Sequence, residues 1–226
     1  MITTRFALVE FSILKSDMRA KVIIGFGVVV LSLVIFLIVQ HFFTSTWDVV
    51  NLPPKNETIV AFGDSLVSGI GSSQGNDFVS LLSKKIGRDI INEGIPGNTS
   101  ADGLARVDDV LALDPGLVIV LLGGNDALRR ISKDKTYENL SLILDKLTHN
   151  GIAVVLVAVR GGLLNDPYDE MYHVLAKTHR VALVPNVLSD ILLNPDLTAD
   201  QLHPNDKGYA IVADRIYKVL EPLITS

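Results

Sequence analysis

Hydrophobic positions form one uninterrupted apolar run near the start of this chain, and short apolar segments that recur through the remainder. The run spans residues 22–39 and contains neither a charged side chain nor a polar face. As an α-helix it would extend about 27 Å, close to the thickness of a bilayer's hydrocarbon core. It is followed by Phe42, Phe43 and Trp47, as in an interfacial aromatic belt. The pattern therefore predicts one transmembrane helix, over residues 22–43.

Charges beside this run predict its orientation. The basic residues that closely precede it are Lys15, Arg19 and Lys21. The next basic residue along the chain is Lys55. Because cytoplasmic flanks are enriched in lysine and arginine, we expect residues 1–21 to be a cytoplasmic segment and residues 22–43 a signal anchor. The remainder would then lie outside the cytoplasm of a single-pass, membrane-anchored protein, on the periplasmic side in a Gram-negative cell.

A cleaved signal peptide is the alternative interpretation of the same run. Its apolar part would be about 7–15 residues long and would lead into small residues in an A-x-A-like pattern. The run is longer than that, and Thr44-Ser45-Thr46 makes a poor cleavage site. An uncleaved anchor is therefore favoured, followed by a polar linker over residues 44–57, which contains Pro53-Pro54, and a folded domain over residues 58–226.

Within that domain, apolar β-branched segments alternate with stretches whose apolar residues share one helix face. Strands are predicted at Thr58–Phe62, Asp89–Asn92, Leu117–Leu122, Ile152–Val159 and Val181–Val184. Helices are predicted around residues 78–86, 104–111, 140–147, 168–178 and 209–220. Most of the strands are continuously apolar, as parallel strands covered on both faces are. The alternation predicts a three-layer α/β/α sandwich with a mostly parallel five-stranded sheet.

Composition narrows the classes of function. The formal net charge is −5 and no run of basic residues is longer than a pair, so a nucleic-acid partner is not expected. The absence of cysteine excludes disulfides, thiolate metal sites and a cysteine nucleophile. The dinucleotide pattern G-x-G-x-x-G and the metal pattern H-E-x-x-H are also absent. We therefore predict neither a metal nor a cofactor, and the oligomeric state stays open.

Polar, glycine-containing segments follow three of the predicted strands. They contain Ser65 after the first strand, residues 94–100 after the second and Asn125 after the third. Near the end of the chain, Asp200 stands three residues before His203, a spacing that lets the carboxylate turn back onto the imidazole. Because binding sites of such sheets lie at the carboxyl ends of the strands, we expect these segments to meet in one cleft.

Taken in order, these segments resemble the four sequence blocks of the SGNH, or GDSL, hydrolase family. The matching segments are Phe62–Leu66, Pro96–Ser100, Gly123–Asp126 and Asp200–Pro204. The stretches Gly97–Arg106 and Leu122–Arg129 are similar to a bacterial branch of multifunctional acyl thioesterases, lysophospholipases and arylesterases. The resemblance extends from about Thr58 to Leu220 and implies the flavodoxin-like fold of SGNH hydrolases.

The resemblance also implies roles for individual residues. Ser65 would be the nucleophile, His203 the general base and Asp200 the group that orients His203. The oxyanion hole would consist of the backbone N–H groups of Ser65 and Gly97 and the side chain of Asn125. The implied function is that of a serine ester hydrolase that works through an acyl-enzyme: an esterase or lipase, arylesterase or lysophospholipase, with thioesterase activity as a further option.

The acyl group of the substrate is left open. Leu128, Ile131 and the loop Val159–Leu164 are apolar near the predicted site, which favours a longer acyl chain on a small-molecule or lipid ester. An O-acetyl esterase or acyltransferase acting on cell-surface glycan is the alternative, with the same residues. A catalytically idle, membrane-tethered binding module is a third interpretation, which the intact triad disfavours.

Other polar residues are assigned structural roles. Asp64 and Asp126 adjoin the motif residues and are expected to brace loops by hydrogen bonds rather than to carry protons. His149, His173 and His179 have no partner at a motif spacing and are expected to lie on the surface or at helix ends.

Overall fold

The computed structural model describes residues 48–159 and 167–225, together with Ser32. The chain divides into two compact units, Met1–Thr46 and Trp47–Ser226, and the elements described below belong to the second. Apart from Ser32, the predicted anchor at residues 22–43 lies outside the described residues, so the predicted domain boundaries stay predictions. Among the described residues, no helix combines the length and the apolar character needed to cross a bilayer.

Five parallel strands form the centre of the second unit. They are β1 Ile59–Gly63, β2 Ile90–Gly94, β3 Leu117–Leu121, β4 Ala153–Val157 and β5 Ala182–Val184. Their order in the sheet is β2-β1-β3-β4-β5, and each neighbouring pair is parallel. This is the strand order of flavodoxin-like sheets. The predicted parallel α/β sheet is therefore confirmed, with strand ends shifted by no more than two residues.

Seven helices and one 3₁₀ turn accompany the strands in the described residues. The helices are α1 Ser65–Ser68, α2 Phe78–Ile86, α3 Ser100–Leu111, α4 Gly124–Leu128, α5 Lys133–His149, α6 Pro167–His179 and α7 Asp206–Ile224, and the 3₁₀ turn is Pro195–Leu197. The five longer helices were predicted, and α2 and α6 begin within one residue of the predicted start. The first turns of α3, α5 and α7 were missed, because those turns are set by polar capping residues. Thr99 and Asp102, for example, form a reciprocal capping box at the start of α3. Helices α1 and α4 are too short to show a periodic pattern.

The helices cover both faces of the sheet. Because side chains alternate along a strand, Ile59 and Ala61 point to the layer of α2 and α7, and Val60 and Phe62 point to the other layer. The first face packs against α2 and α7, for example at Phe78 and Tyr209. The opposite face packs against α3, α5 and α6. The three-layer sandwich is thus confirmed for the described residues.

The strand order also determines where a cleft opens. The crossovers lead from β1 to β2 on one side and then to β3 on the other, so the carboxyl ends of β1 and β3 flank a crevice. The chain continues from β1 into Ser65 and from β3 into α4, which contains Asn125. The fold therefore brings two of the predicted polar segments to the same edge of the sheet.

Candidate active site

Ser65 begins the short helix α1, directly after the turn that ends β1. Asp64 caps this helix, since its carboxylate accepts a hydrogen bond of 3.0 Å from the backbone N–H of Leu66. At Gly63, a Cβ would lie 2.3 Å from the carbonyl oxygen of Leu121. Glycine is therefore required by the close approach to β3, rather than by turn flexibility. As the first residue of a helix, Ser65 has an N–H that lacks a carbonyl partner in its own helix.

His203 links Ser65 to Asp200. Its Nε2 lies 3.0 Å from Ser65 Oγ, although the two residues are 138 positions apart. Its Nδ1 lies 2.8 Å from Asp200 Oδ2 and 3.1 Å from Oδ1. The structure therefore brings the three residues together in the order Ser65, His203, Asp200. The His203 side chain is mostly buried, at 17% exposure, while that of Asp200 is 53% exposed.

Hydrogen bonds within this loop fix the charge of Asp200. The bond from the His203 side chain lowers its pKa most, followed by the backbone N–H groups of Leu202 and His203, and together they bring it to about 2. These two amides lie 2.7 and 2.8 Å from Oδ1. The carboxylate is therefore ionised near neutral pH and accepts the Nδ1 proton. The lone pair of Nε2 then faces Ser65, as a general base requires.

A glycine outside the predicted blocks supports the position of His203. Gly71 adopts a φ of 96°, and a Cβ there would lie 2.5 Å from the carbonyl oxygen of Pro204 and 3.1 Å from His203 Cβ. The neighbouring Ile70 carbonyl accepts a 2.7 Å bond from Tyr209. The turn after α1 thus packs closely against the histidine loop, a contact that no local pattern in the sequence predicted.

The predicted oxyanion residues line one cavity with Ser65 and His203. These residues are Ser65 itself, Gly97 and Asn125. Asn125 Nδ2 donates to the Asn98 carbonyl oxygen at 3.0 Å and to Asp64 Oδ2 at 3.3 Å. Both amide hydrogens therefore have protein partners, and a bound oxyanion would have to replace the longer bond, to Asp64. The sequence predicted the donor but not this intramolecular competition.

The two aspartates beside the motifs are buried and hydrogen-bonded. Asp64 is 2% exposed, and burial raises its pKa to about 6. Asp126 accepts hydrogen bonds from the backbone and the side chain of Ser100 and from Thr136. Their predicted role in bracing loops is confirmed by these contacts.

Arg106 is a polar centre that the sequence pattern did not single out beyond its place in a family-like stretch. Its guanidinium donates to the carbonyl oxygens of Gly63 at 2.8 Å and Glu93 at 3.0 Å. Its Nε donates to Asn98 Oδ1 at 2.8 Å. The guanidinium carbon lies 4.4 Å from the centre of the Phe62 ring, and burial lowers the pKa of the group. The one feature of the sequence that could have indicated this role is that Arg106 is a charged residue next to the buried Val107 of its helix.

The cavity has a volume of about 520 Å³ and mostly apolar walls. Its polar groups are Asp64, Ser65, Asn125 and His203, and its apolar lining is Leu66, Ile70, Pro96, Ala127, Leu128, Val159, Leu188, Leu192 and Leu202. Of the apolar residues predicted near the site, Leu128 and Val159 line the cavity and Ile131 does not. The rest of the predicted loop, residues 160–164, lies outside the described residues. Leu188, Leu192 and Leu202 were not foreseen.

A second Ser-His-Asp set lies between helices α5 and α6. Ser141 Oγ is 2.9 Å from His179 Nε2, and His179 Nδ1 is 3.1 Å from Asp145 Oδ1. The His179 side chain is only 6% exposed, but His179 is the last residue of α6, which agrees with the helix-end position predicted for it. Ser141 does not line the cavity, and it lies inside a helix where its N–H is bonded to the preceding turn. This set therefore lacks an oxyanion hole and joins two helices.

The remaining titratable groups offer no metal centre in the part of the chain that the structure describes. Across residues 48–159 and 167–225, no three histidine, aspartate or glutamate side chains are placed to hold a metal ion. His149 is exposed at the end of α5, with Nδ1 2.7 Å from the carbonyl oxygen of Asp145, and His173 is exposed on α6. Both positions agree with the roles predicted for them.

Comparison with known proteins identifies the family. Residues 61–211 match the GDSL-like Lipase/Acylhydrolase family. Thioesterase 1/protease 1/lysophospholipase L1 of Escherichia coli strain K12 is 32% identical over 177 residues, which cover 74% of this chain and 85% of that protein. Esterase TesA of Pseudomonas aeruginosa is 29% identical over 180 residues, covering 74% of this chain and 90% of the relative.

Solved structures agree with this match. A crystal structure of TesA superposes with a TM-score of 0.69 at 30% identity, covering 74% of this chain and 99% of that one. The predicted resemblance is therefore confirmed by sequence and by fold. The chain belongs to the GDSL-like lipase/acylhydrolase family, and it is a hydrolase.

Proposed function

We propose that this chain is a serine ester hydrolase in which Ser65 carries the acyl group between two half-reactions. The observation that supports this most directly is the hydrogen-bonded series from Ser65 Oγ through His203 to Asp200, with contacts of 3.0 and 2.8 Å. The series lies beside an apolar cavity that opens around Ser65. The names of the relatives, an esterase and a thioesterase with lysophospholipase activity, support carboxylic esters or thioesters as substrates.

In the first half-reaction, Ser65 Oγ forms a bond to the acyl carbon while its proton moves to His203 Nε2. The carbonyl oxygen takes up the negative charge, and Asp200 stabilises the imidazolium that forms. When the tetrahedral intermediate collapses, the bond to the leaving oxygen or sulfur breaks. His203 returns its proton to that atom, so the alcohol or thiol leaves neutral and the acyl group stays on Ser65.

In the second half-reaction, a water molecule replaces the leaving group. His203 removes a proton from this water as the oxygen attacks the acyl carbon, and it then protonates Ser65 Oγ when the acyl bond breaks. Hydrogen-bond donors aimed at the developing oxyanion lower both barriers. In this proposal they are the backbone N–H groups of Ser65 and Gly97 and, after exchange of its bond to Asp64, Asn125 Nδ2.

The shape of the cavity favours an acyl chain longer than acetyl. Its volume of about 520 Å³ and the leucines on its walls provide apolar surface well beyond what an acetyl group would cover. Each buried methylene contributes about 0.8 kcal/mol of transfer free energy. A lipid or aryl ester with an extended acyl chain therefore fits this cavity better than an O-acetylated glycan.

We expect kcat/KM for a series of p-nitrophenyl esters to rise from the C2 to the C8 ester, by up to about fourfold per methylene. Replacing Leu192, which lines the cavity, by tryptophan should shift the optimum to shorter chains. The matched control is Leu193→Trp, because Leu193 is 68% exposed and does not line the cavity. A sharp preference for the C2 ester would contradict the proposal and favour an O-acetyl esterase of cell-surface glycan.

We also propose that the hydrolase domain is held at a membrane by the apolar segment at residues 22–43, with the domain outside the cytoplasm. The support is the uncharged run of residues 22–39 and the placement of basic residues before it. The full-length chain is expected in the membrane fraction and should stay there after extraction at high pH. A soluble product that lacks about the first 46 residues would show a cleaved signal peptide instead.

A further inference from the structure

One guanidinium group contacts the segments that contain two of the three proposed oxyanion donors, Ser65 and Gly97. Arg106 projects from helix α3 and bonds to the carbonyl oxygen of Gly63, two residues before Ser65. It also bonds to the side chain of Asn98, which directly follows Gly97. The same Gly63 oxygen accepts a 3.0 Å bond from the N–H of Ile95. The turn before Ser65 and the loop that contains Gly97 are therefore joined directly by this bond and indirectly through Arg106.

The third donor is reached through Asn98. The side-chain oxygen of Asn98 accepts from Arg106 at 2.8 Å, and its backbone oxygen accepts from Asn125 Nδ2 at 3.0 Å. The position of Arg106 therefore constrains Asn98, and Asn98 in turn constrains Asn125. The network of Arg106, Asn98 and Asn125 shares no side chain with the hydrogen-bonded series of Ser65, His203 and Asp200. The two networks can therefore be changed separately by mutation.

The chemistry of arginine suits this position. A guanidinium is planar and presents five N–H donors in a fixed geometry, so it can bond several acceptors at once without adjusting its shape. Here it bonds three acceptors, on Gly63, Glu93 and Asn98, while its central carbon lies 4.4 Å from the centre of the Phe62 ring. Its side chain is 14% exposed and does not line the cavity, so it does not touch a substrate there.

We propose that Arg106 is the positioning residue of the oxyanion hole: it holds the backbone around Ser65, Gly97 and Asn98 in the register that directs three donors at one oxygen. The inference rests on the proposed function, because an oxyanion hole has meaning only if Ser65 acylates. Displacing reacting or stabilising groups by about 1 Å can lower a rate about 100-fold. The effect of losing Arg106 should therefore appear in transition-state stabilisation and not in substrate binding.

The test compares Arg106→Met, Arg106→Lys and the parent on one ester, with turnover normalised to the amount of Ser65 that a phosphonate titrates. For Arg106→Met we expect kcat to fall about 10- to 100-fold while KM changes less than about threefold. Inhibition by an alkyl boronic acid, which forms a tetrahedral adduct on Ser65, should weaken by a similar factor. Inhibition by the fatty acid product should stay within about threefold.

Arg106→Lys separates charge from geometry. It keeps the positive charge but not the planar set of donors, so we expect it to resemble Arg106→Met and not the parent. Arg180→Met is the matched control, because Arg180 also bonds a backbone carbonyl, that of Asp48 at 3.1 Å, but precedes the amino end of β5. That control should keep the parent's kcat and boronate inhibition.

Two results would overturn the inference. One is a normalised kcat for Arg106→Met within about threefold of the parent; the other is equal weakening of boronate and product inhibition, which marks a general structural defect. If Arg106→Met fails to fold, Asn98→Ala removes only the bond from Arg106 Nε to the Asn98 side chain, keeps the Asn98 carbonyl oxygen that accepts from Asn125, and must show the same selective loss for boronate. Loss of activity in Ser65→Ala together with a normal Arg106→Met would refute only this inference. An active Ser65→Ala would refute the proposed function itself.

Discussion

Replacing Ser65 by alanine is expected to lower kcat for an ester by about 10⁵- to 10⁶-fold, to the level that binding and oxyanion donors supply on their own. The variant lacks Ser65 Oγ, the oxygen that lies 3.0 Å from His203 Nε2. Without this nucleophile no acyl-enzyme forms. Its stability should change little, because Ser65 is only partly buried and the cap of its helix comes from Asp64. Steady-state hydrolysis of a p-nitrophenyl ester measures the loss.

A control for this experiment comes from the second Ser-His-Asp set. Ser141→Ala removes a serine that is also within hydrogen-bond distance of a histidine, at 2.9 Å, but lies in the middle of a helix and outside the cavity. It should keep the parent's turnover. A fluorophosphonate should label the parent and Ser141→Ala but not Ser65→Ala. Normal ester hydrolysis by Ser65→Ala would show that the nucleophile has been misassigned.

Replacing Asn125 by alanine is expected to lower kcat about 10²- to 10³-fold, the usual result of losing one oxyanion donor. KM should change little, because the donor acts on charge that develops only after substrate has bound. The variant also loses the bonds of 3.0 and 3.3 Å to Asn98 and Asp64, so some stability is lost as well. Ester turnover and thermal unfolding should therefore be measured on the same preparation.

Asn51→Gly supplies the comparison for that stability effect. Asn51 Nδ2 likewise bonds two carbonyl oxygens, of Thr148 and Ile152, each at 2.9 Å. Glycine is the suitable replacement because Asn51 has a φ of 63°. This variant should be less stable and yet as active as the parent. Turnover of Asn125→Ala within about threefold of the parent would limit Asn125 to bracing Asp64 and Asn98.

Much of the fold could be predicted from the sequence because the elements are encoded locally. Continuous apolar segments such as Leu117–Leu121 identify buried parallel strands, since both faces of such a strand are covered. Helix ends were harder to predict, because they depend on capping side chains such as Thr99 and not on apolar periodicity. Helix α4, which contains Asn125, has only five residues and gives no periodic signal.

The site was predictable to the extent that its parts are close in sequence. The pairing of Asp200 with His203 spans three residues and follows from one turn of the chain. The family-like blocks indicated which segments meet, but they carried no information about the hydrogen bonds of Asn125 or the surroundings of Asp64. They also gave no sign that His179 would pair with Ser141, because a contact across 38 residues depends on how two helices pack.

The sequence by itself determined the α/β class, the order of the strands along the chain, the choice of Ser65, Asp200 and His203 as candidate catalytic residues, and a family whose fold the structure shares. These properties depend on short-range periodicity and on motifs of a few residues. Only the tertiary structure decided that Ser65 and His203 come within 3.0 Å, that Leu188, Leu192 and Leu202 form cavity walls, and that Arg106 joins three segments. The physical reason is that those contacts arise from the order of strands in the sheet and the packing of helices on it. Spacing along the chain carries no measure of either.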